Sequence, residues 1–476
     1  MDYAIAVFDI GKTNKKLIVF TDDLKPVYEK SARIGEIEVE GVLCDNAEAI
    51  LSWITRELKE ACKKYPIKSV SITTYGATVA YLKKGSLAFP IVSYNHQIDD
   101  QIREGFYKEF GSPLDLYKIT GAPPYGRLIN AGIQLYWFKR SYPEKFAEID
   151  EIMFLPQYLT YEISGFRSCE VTSVGCHTYL YDLRKLDWSF IAERLNADEL
   201  FPSFAEVWSS LGEFEINGLK VTATPGIHDS NASLLPFMLK GADVVLASTG
   251  TWCVFMYPAA EFDPREEDLR RDVVYYLNAY GKPVKASRFI GGYEHDHYSK
   301  IIQEKFNTDP KNMSLDTDVV NRIIKRKEDF IMPGLMEAVG QFQKSKPKIL
   351  GKSFYENPVT AYHLLNLYLA LQSYVAISLL LEGRSSDIIV QGGFAKNRIY
   401  LSLLSTLFQK NKVIKSAFPE TTSLGAAMCG KCAYEGVSPE RIALDLRGEE
   451  IEKLEVDLDD LREYLDLFVE KASAGE

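Results

Sequence analysis

The sequence predicts an α/β protein built from a duplicated unit, and three observations carry that prediction. Strand-like and helix-like stretches alternate along the chain, the pattern of a sheet covered by helices. An apolar strand, a short glycine- and threonine-bearing turn and a second apolar strand occur near the N-terminus and again at 244–256, at the starts of two halves. The 476 residues also exceed what one hydrophobic core usually serves, so two domains flanking a cleft are expected, and such clefts bind small ligands.

Taken in order, AIAVFDI (4–10), the polar GKTNKK and LIVF (17–20) form the first hairpin. A helix around 46–64, a strand at 70–76, helices near 129–140 and 145–149, and a helical QYLTYEISG after Pro156 follow. The second hairpin, VVLASTGTWCVFM (244–256), leads to a long helix at 358–382, a strand at 387–393, a helix over 397–409, a strand near 412–415 and a helix at 423–435. The boundary is expected near 236–241, dividing the chain into 1–238 and 239–476. Residues 357–381 carry no charge and are long enough to cross a bilayer. His363, Asn366, Gln372, Ser373 and Ser378 interrupt that run, so a buried central helix is expected instead, with Asn357 as N-cap, Pro358 in its first position and an end at Gly383. The acidic, amphipathic tail from 448 reads as a solvated surface helix.

The formal net charge of −11 argues against a general role on nucleic acid or anionic membranes, so any phosphate ligand must be held locally. Seven scattered cysteines without CxxC spacing suggest neither a disulfide framework nor a zinc site. The N-terminus lacks the basic segment and long apolar core of a signal peptide. A cytoplasmic protein with reduced thiols is the expectation.

GKT at 11–13 is not a P-loop, because position 6 is Ala where that motif needs Gly, and it lies inside a hairpin. No GxGxxG follows a strand. A tight glycine turn nevertheless exposes successive backbone N–H groups, and neighbouring Thr, Asn and Lys side chains add donors suited to phosphate. The candidates are Gly11, Thr13, Asn14 and Lys15 in the first turn and Thr249, Gly250 and Thr251 in the second. Asp9, ending the first strand, would hold Mg²⁺ directly or through water. IIVQGGFAKN (388–397) runs a strand through Gly392 and Gly393 into a helix beginning near Asn397, presenting backbone donors to a base or ribose.

The order and wording of these segments resemble the FGGY carbohydrate kinases, members of the actin-like ATPase superfamily. FDIGKTNKK and LASTGTW are similar to their two phosphate motifs, and IIVQGGFAKN with ETTSLGAAM (420–428) to their adenosine motif. LPQYLTYEISG (155–165) and TPGIHDSNASLLP (224–236) complete the series, the latter resembling the segment that holds the catalytic aspartate. The resemblance implies duplicated ribonuclease H-like (actin-like ATPase) domains, the sugar in the N-terminal one, ATP with Mg²⁺ largely in the C-terminal one, and a homodimer at the level of the family. It assigns Asp229 as the base that takes the proton of the sugar hydroxyl; in isolation the residue would read as a helix N-cap. A catalytically silent sugar- and nucleotide-sensing protein of the same fold is the alternative.

Sugar contacts are expected from TTYGATVAYL (73–82) and PIVSYNHQID (90–99), namely Tyr75, Gly76, His96 and Gln97, with Asn130 beyond them. The wording is similar to the fuculokinase and rhamnulokinase branches, which implies a ketose or deoxyketose such as L-fuculose, L-rhamnulose or a pentulose. His96 stands where the family more often has a tryptophan-and-acidic phrase, and Ala77-Thr78 replaces Val-Asp. The HxH of GGYEHDHY (291–298) has Glu294 and Asp296 beside it but no further ligands nearby, and is expected in a lid loop rather than a metal site.

Overall fold

The protein is described from a computed structural model covering residues 1–239, 243–418 and 420–475. Two seven-stranded mixed sheets share one plan. In the first, Ala4–Ile10 pairs antiparallel with Asn14–Thr21, which pairs antiparallel with Pro26–Arg33. On its other side Ala4–Ile10 runs parallel to Ile67–Thr74, which receives Leu219–Ala223 and Ile227–His228 in parallel. In the second sheet Val244–Thr249 pairs antiparallel with Cys253–Tyr257 and parallel with Asp387–Gly392, which pairs in parallel with Val413–Lys415. The same succession of antiparallel and parallel neighbours in both sheets is the duplication legible in the two hairpins.

Parallel strands need a crossover and open their carboxyl ends on one edge of the sheet, where ligands of such folds bind. Asp9 and Thr249 stand at those ends in the two sheets. The expected boundary at 236–241 runs into residues 240–242, which lie outside the described residues.

The helix Pro358–Leu381 begins as expected, with the Asn357 side chain accepting from Thr360 N and Pro358 in the first turn. It ends in two left-handed residues, Glu382 (φ 49°) and Gly383 (φ 84°). It is long and apolar enough to cross a membrane, yet most of it is buried inside the protein. His363, one of the interrupting polar groups, is satisfied there by Val359 O and Asp316 N, both at 2.8 Å.

Three expectations need correction. GGYEHDHY is no lid loop: it forms the first turns of a helix, Gly291–Phe306, because Glu294, His295 and Tyr298 bury one face at helical spacing. The helix of the tail is shorter than expected, Leu458–Ala474, and not fully solvated. Leu461, Tyr464 and Phe468 bury its inner face, and Tyr464 stacks on Phe330 with ring centroids 4.5 Å apart. The short helix expected at 145–149 spans Pro143–Ala147, since proline favours a first-turn position. All seven cysteines are buried and free.

Glu294 is a buried acid within this core, accepting from Gln372 Nε2 at 2.7 Å. Burial pushes its carboxyl up to about 8 from an ordinary 4.5. The folded state therefore holds a proton that the unfolded chain releases, and this group's contribution makes stability fall as pH rises from about 4.5 to 8. Glu294→Gln removes that loss. Relative to wild type the variant gains about 2–4 kcal/mol across this range and levels off above it, as thermal melts at pH 5, 6.5, 8 and 9 will show; a difference that does not widen with pH contradicts the assignment.

Candidate functional site

The site grows from the end of the first strand. Asp9, the sixth residue of that strand, is partly buried and accepts from Ser423 Oγ at 3.4 Å. Its carboxyl is pushed up to about 7, chiefly by desolvation and then by the negative charges of Asp229 and Glu420; the Lys16 ammonium acts in the opposite sense. Lys16 is itself paired with Glu420 at 2.8 Å. Asp9 lies opposite Thr73 of the neighbouring strand, and Ile227, two residues before Asp229, pairs with the same Thr73 from the other side, so both carboxylates stand at the carboxyl ends of strands flanking Ile67–Thr74, a placement suited to a divalent cation with hard oxygen ligands.

Asp229 opens the helix Asp229–Met238, immediately after the short strand Ile227–His228. Its Oδ1 accepts from Ser230 N at 2.6 Å, so the carboxylate also caps its own helix. His228 Nε2 lies 3.2 Å from the same oxygen. Burial pulls the His228 imidazole below its ordinary value, and the Asp229 charge acts in the opposite sense. Gly76 is needed beside it, since a Cβ there would come within 2.9 Å of His228 Nε2. Tyr75 and Tyr94 continue the wall as an edge-to-face pair with centroids 5.5 Å apart, and the Tyr94 hydroxyl lies in the field of Asp229, which helps raise it.

The turn at Gly11, Lys12 and Thr13 adjoins this wall. Gly11 packs tightly over Asn14, a Cβ there falling 2.9 Å from Asn14 O, while Thr13 and Asn14 are exposed and free to meet a ligand. Lys15 departs from expectation. Its ammonium is buried and donates to Lys12 O and Ile34 O, both at 2.8 Å, so it braces the turn from inside instead of facing a phosphate.

Two other candidates also serve the fold. Asn130 is fully buried, and its Oδ1 accepts from Gly132 N and Ile133 N as the cap of the helix Ala131–Ser141. His96 accepts from Leu43 N at 3.3 Å and rests edge-on against Trp137. With Gln97 it lines an open hollow of about 440 Å³, alongside Glu36, Glu38, Asn95 and Arg127, a lining that does not include Tyr75, Gly76 or Asp229.

The second turn opens on a larger cavity of about 660 Å³. It gathers Thr249, Gly250, Thr251, Gly393 and Asn397 from the expected set, but not Gly392. Gly392 is architectural: its φ of 82° suits glycine, and a Cβ would overlap Thr249 O. The Thr249 hydroxyl donates to Gln391 O and accepts from Phe394 N at 3.0 Å, clamping the two strand ends together. Asn397 caps the helix Arg398–Leu407, and its Nδ2 donates to Asn366 Oδ1 at 2.6 Å. His295, from the GGYEHDHY segment expected near the cleft, also lines it; Tyr362, Lys311, Met313, Ser314 and Leu315 complete the walls and were not foreseen, because they come from separate elements that share no local motif. His295 Nε2 and Tyr362 OH are 3.1 Å apart. Apolar Phe394, Met313, Leu315 and Ile399 give this cavity a lining suitable for a planar base.

A buried chain of contacts joins the two places. Thr249 bonds Gln391 O, the Gln391 side chain accepts from Thr421 Oγ1, and the helix that Thr421 opens carries Ser423 to Asp9. No group of three or more His, Cys, Asp or Glu side chains suited to a metal occurs among the described residues.

Comparisons agree with this geometry. Residues 4–214 match the sequence model for the N-terminal domain of the FGGY family of carbohydrate kinases, and residues 241–439 match the carbohydrate kinase FGGY C-terminal domain. A rhamnulokinase from Halalkalibacterium halodurans is 26% identical over 265 residues, which cover 53% of this chain and 55% of that one. A xylulose kinase from Haemophilus influenzae is 32% identical over 84 residues, 17% of each chain. The chain thus spans about half the length of the first relative and under a fifth of the second. Among solved structures, a carbohydrate kinase from Novosphingobium aromaticivorans superposes with a TM-score of 0.86 at 25% identity, covering 99% of both chains. A Plasmodium falciparum glycerol kinase with ADP shares the fold at a TM-score of 0.79 and 15% identity, covering 99% of this chain and 98% of its own.

Gly292 sits against the second turn so closely that a Cβ would overlap Gly250 O. Gly292→Ala therefore displaces the turn from the cavity, and at least a tenfold loss of ADP affinity is expected in calorimetric titration; wild-type affinity would show that the cavity does not hold the nucleotide.

Proposed function

Because the chain belongs to the FGGY family of carbohydrate kinases, we propose that it transfers the γ-phosphoryl group of ATP to a hydroxyl of a small sugar. The observation that carries this reading is that Asp9 and Asp229 stand at the ends of strands on either side of Ile67–Thr74, at the carboxyl edge of the first sheet and beside an exposed glycine turn. The Asp229 carboxylate takes the hydroxyl proton as the sugar oxygen bonds to the γ-phosphorus. The bond from that phosphorus to the bridging oxygen breaks, and ADP leaves. His228 and Ser230 hold Asp229 in place during the transfer. Mg²⁺, held by Asp9 directly or through water, would neutralise charge on the phosphates.

In this reading residues 1–238 form the sugar-binding domain and 239–476 the nucleotide-binding domain. Backbone donors at Gly11 and Thr251 and the hydroxyls of Thr13 and Thr251 face the phosphates, while the Gly250 N–H is spent on Trp252 O at 3.0 Å and shapes the turn; Gly393 lets the chain pass close to the nucleoside. Tyr75, Gly76 and Tyr94 form the acceptor wall. The similarity to a rhamnulokinase and a xylulose kinase supports a ketose or deoxyketose acceptor, L-rhamnulose, L-fuculose or a pentulose. Such a kinase works in the cytoplasm, and buried free thiols accord with a reducing compartment.

The test is coupled ADP release with ATP and Mg²⁺ against L-rhamnulose, L-fuculose, the xyluloses, the ribuloses and glycerol. Sugar-dependent turnover is expected, and Asp229→Asn should lower kcat 10²- to 10⁴-fold with ADP affinity retained. ATP binding without turnover on any acceptor would reject the kinase in favour of a sensor, and an Asp229→Asn enzyme of near wild-type kcat would reject the base.

A further inference from the structure

Lys12 belongs to the first turn, between Gly11 and Thr13, where a lysine would be expected to reach for phosphate. Its ammonium goes the other way. It donates to Asp45 Oδ1 at 2.6 Å and Ser93 Oγ at 2.8 Å, and lies 3.0 Å from Glu36 Oε1. Two of the ammonium's three donors are thus spent on Asp45 and Ser93, and Glu36 pairs with the charge. The cation also sits over two rings, 4.9 Å from the centroid of Tyr75 and 4.5 Å from that of Tyr94.

Its partners are held firmly. Asp45 is buried, and Glu36 accepts in addition from Ser93 Oγ and from Asn95 Nδ2 at 3.1 Å. Leaving this nest for a phosphate would strand two carboxylates, one of them buried, at a cost set by their desolvation. The same two tyrosines border the Asp229 side of the cleft: Tyr75 precedes Gly76, which abuts His228, and Tyr94 lies in the field of Asp229.

We propose that Lys12 is a positioning residue for the acceptor: it holds the faces of Tyr75 and Tyr94 in the sugar-side wall and does not bind the nucleotide phosphates. The assignment rests on the kinase reading above and adds a specificity element to it. One ammonium draws two aromatic rings and the segments that carry them onto the turn, so the shape of the acceptor pocket and the position of the turn are set together. The surrounding carboxylates, Asp45 and Glu36, suit a neutral polyhydroxy acceptor better than an anionic one.

The experiment is steady-state kinetics of wild type, Lys12→Met and Lys12→Arg with the best acceptor of the panel, varying sugar and ATP separately. Lys12→Met is expected to raise KM for the sugar at least tenfold while KM for ATP stays within twofold. Lys12→Arg keeps a cation over both rings and should return the sugar KM to within about threefold of wild type. A rise in the ATP KM with the sugar KM unchanged overturns the assignment, and so does a variant with both constants unmoved or with only a uniform loss of kcat. If Lys12→Met is insoluble, Ser93→Ala removes one partner of the ammonium and should give the same split at two- to fivefold, its absence again overturning the proposal. Silence of the wild type with every acceptor is a separate outcome: it rejects the kinase reading, and the assignment with it.

Discussion

The helix Thr421–Glu435 approaches the helix Asp229–Met238 so closely that a Cβ at Gly425 would overlap the carbonyl oxygen of Ala232. Much of the site depends on that approach. The same helix lies on the first sheet, where Gly430 meets Ile5 and Ser69 with no room for a side chain. It belongs to the second half of the chain by sequence and to the surface of the first sheet by packing. Its N-terminal turn brings Ser423 to Asp9 and sets Glu420 against Lys16. A wider separation of the two helices would part Asp229 from Asp9 and leave two unrelated carboxylates.

Held there, the Asp9 carboxylate is costly. Desolvation, and then the charges of Asp229 and Glu420, push it up to about 7, a cost of the kind functional sites carry when a ligand is to relieve it. The second sheet makes no such investment: Ser248 stands at the matching position, two residues before the turn glycine, and Thr249 beside it spends its hydroxyl on neighbouring backbone. The duplicated plan therefore supports two different ends: an acidic one beside a tyrosine wall, and a neutral one opening on a partly apolar cavity. That asymmetry suits a small polar acceptor on one side and a nucleotide on the other.

The hairpins, the central buried helix and the order of motifs were legible in the sequence because each is written locally: an apolar alternation broken by glycine, or an Asn-Pro start to an uncharged run. What was not legible depended on where side chains turn. Lys12 lies in the first turn and Lys15 just beyond it in the strand, and GKTNKK does not itself state that Lys15 points into the sheet while Lys12 crosses to Asp45. Alternation along the strand hints at the former, since Lys15 is flanked by residues of the opposite face. GGYEHDHY looked like a loop because two glycines open it; its helical spacing of Glu294, His295 and Tyr298 was the available signal. Asn130 and His96 carry groups able to bind sugar, yet both are engaged with backbone of their own half. His295 and Tyr362 meet only through the packing of two helices, which no local pattern encodes.

The central claim is that the pair formed by Asp9 and Asp229 is the place where metal, phosphate and acceptor meet. Electron paramagnetic resonance of Mn²⁺ titrated into wild type and Asp9→Asn, each with a non-hydrolysable ATP analogue, tests it most directly. The account predicts one tightly held, nucleotide-dependent Mn²⁺ in the wild type and its loss or at least tenfold weakening in Asp9→Asn. An unchanged Mn²⁺ affinity in Asp9→Asn would contradict it.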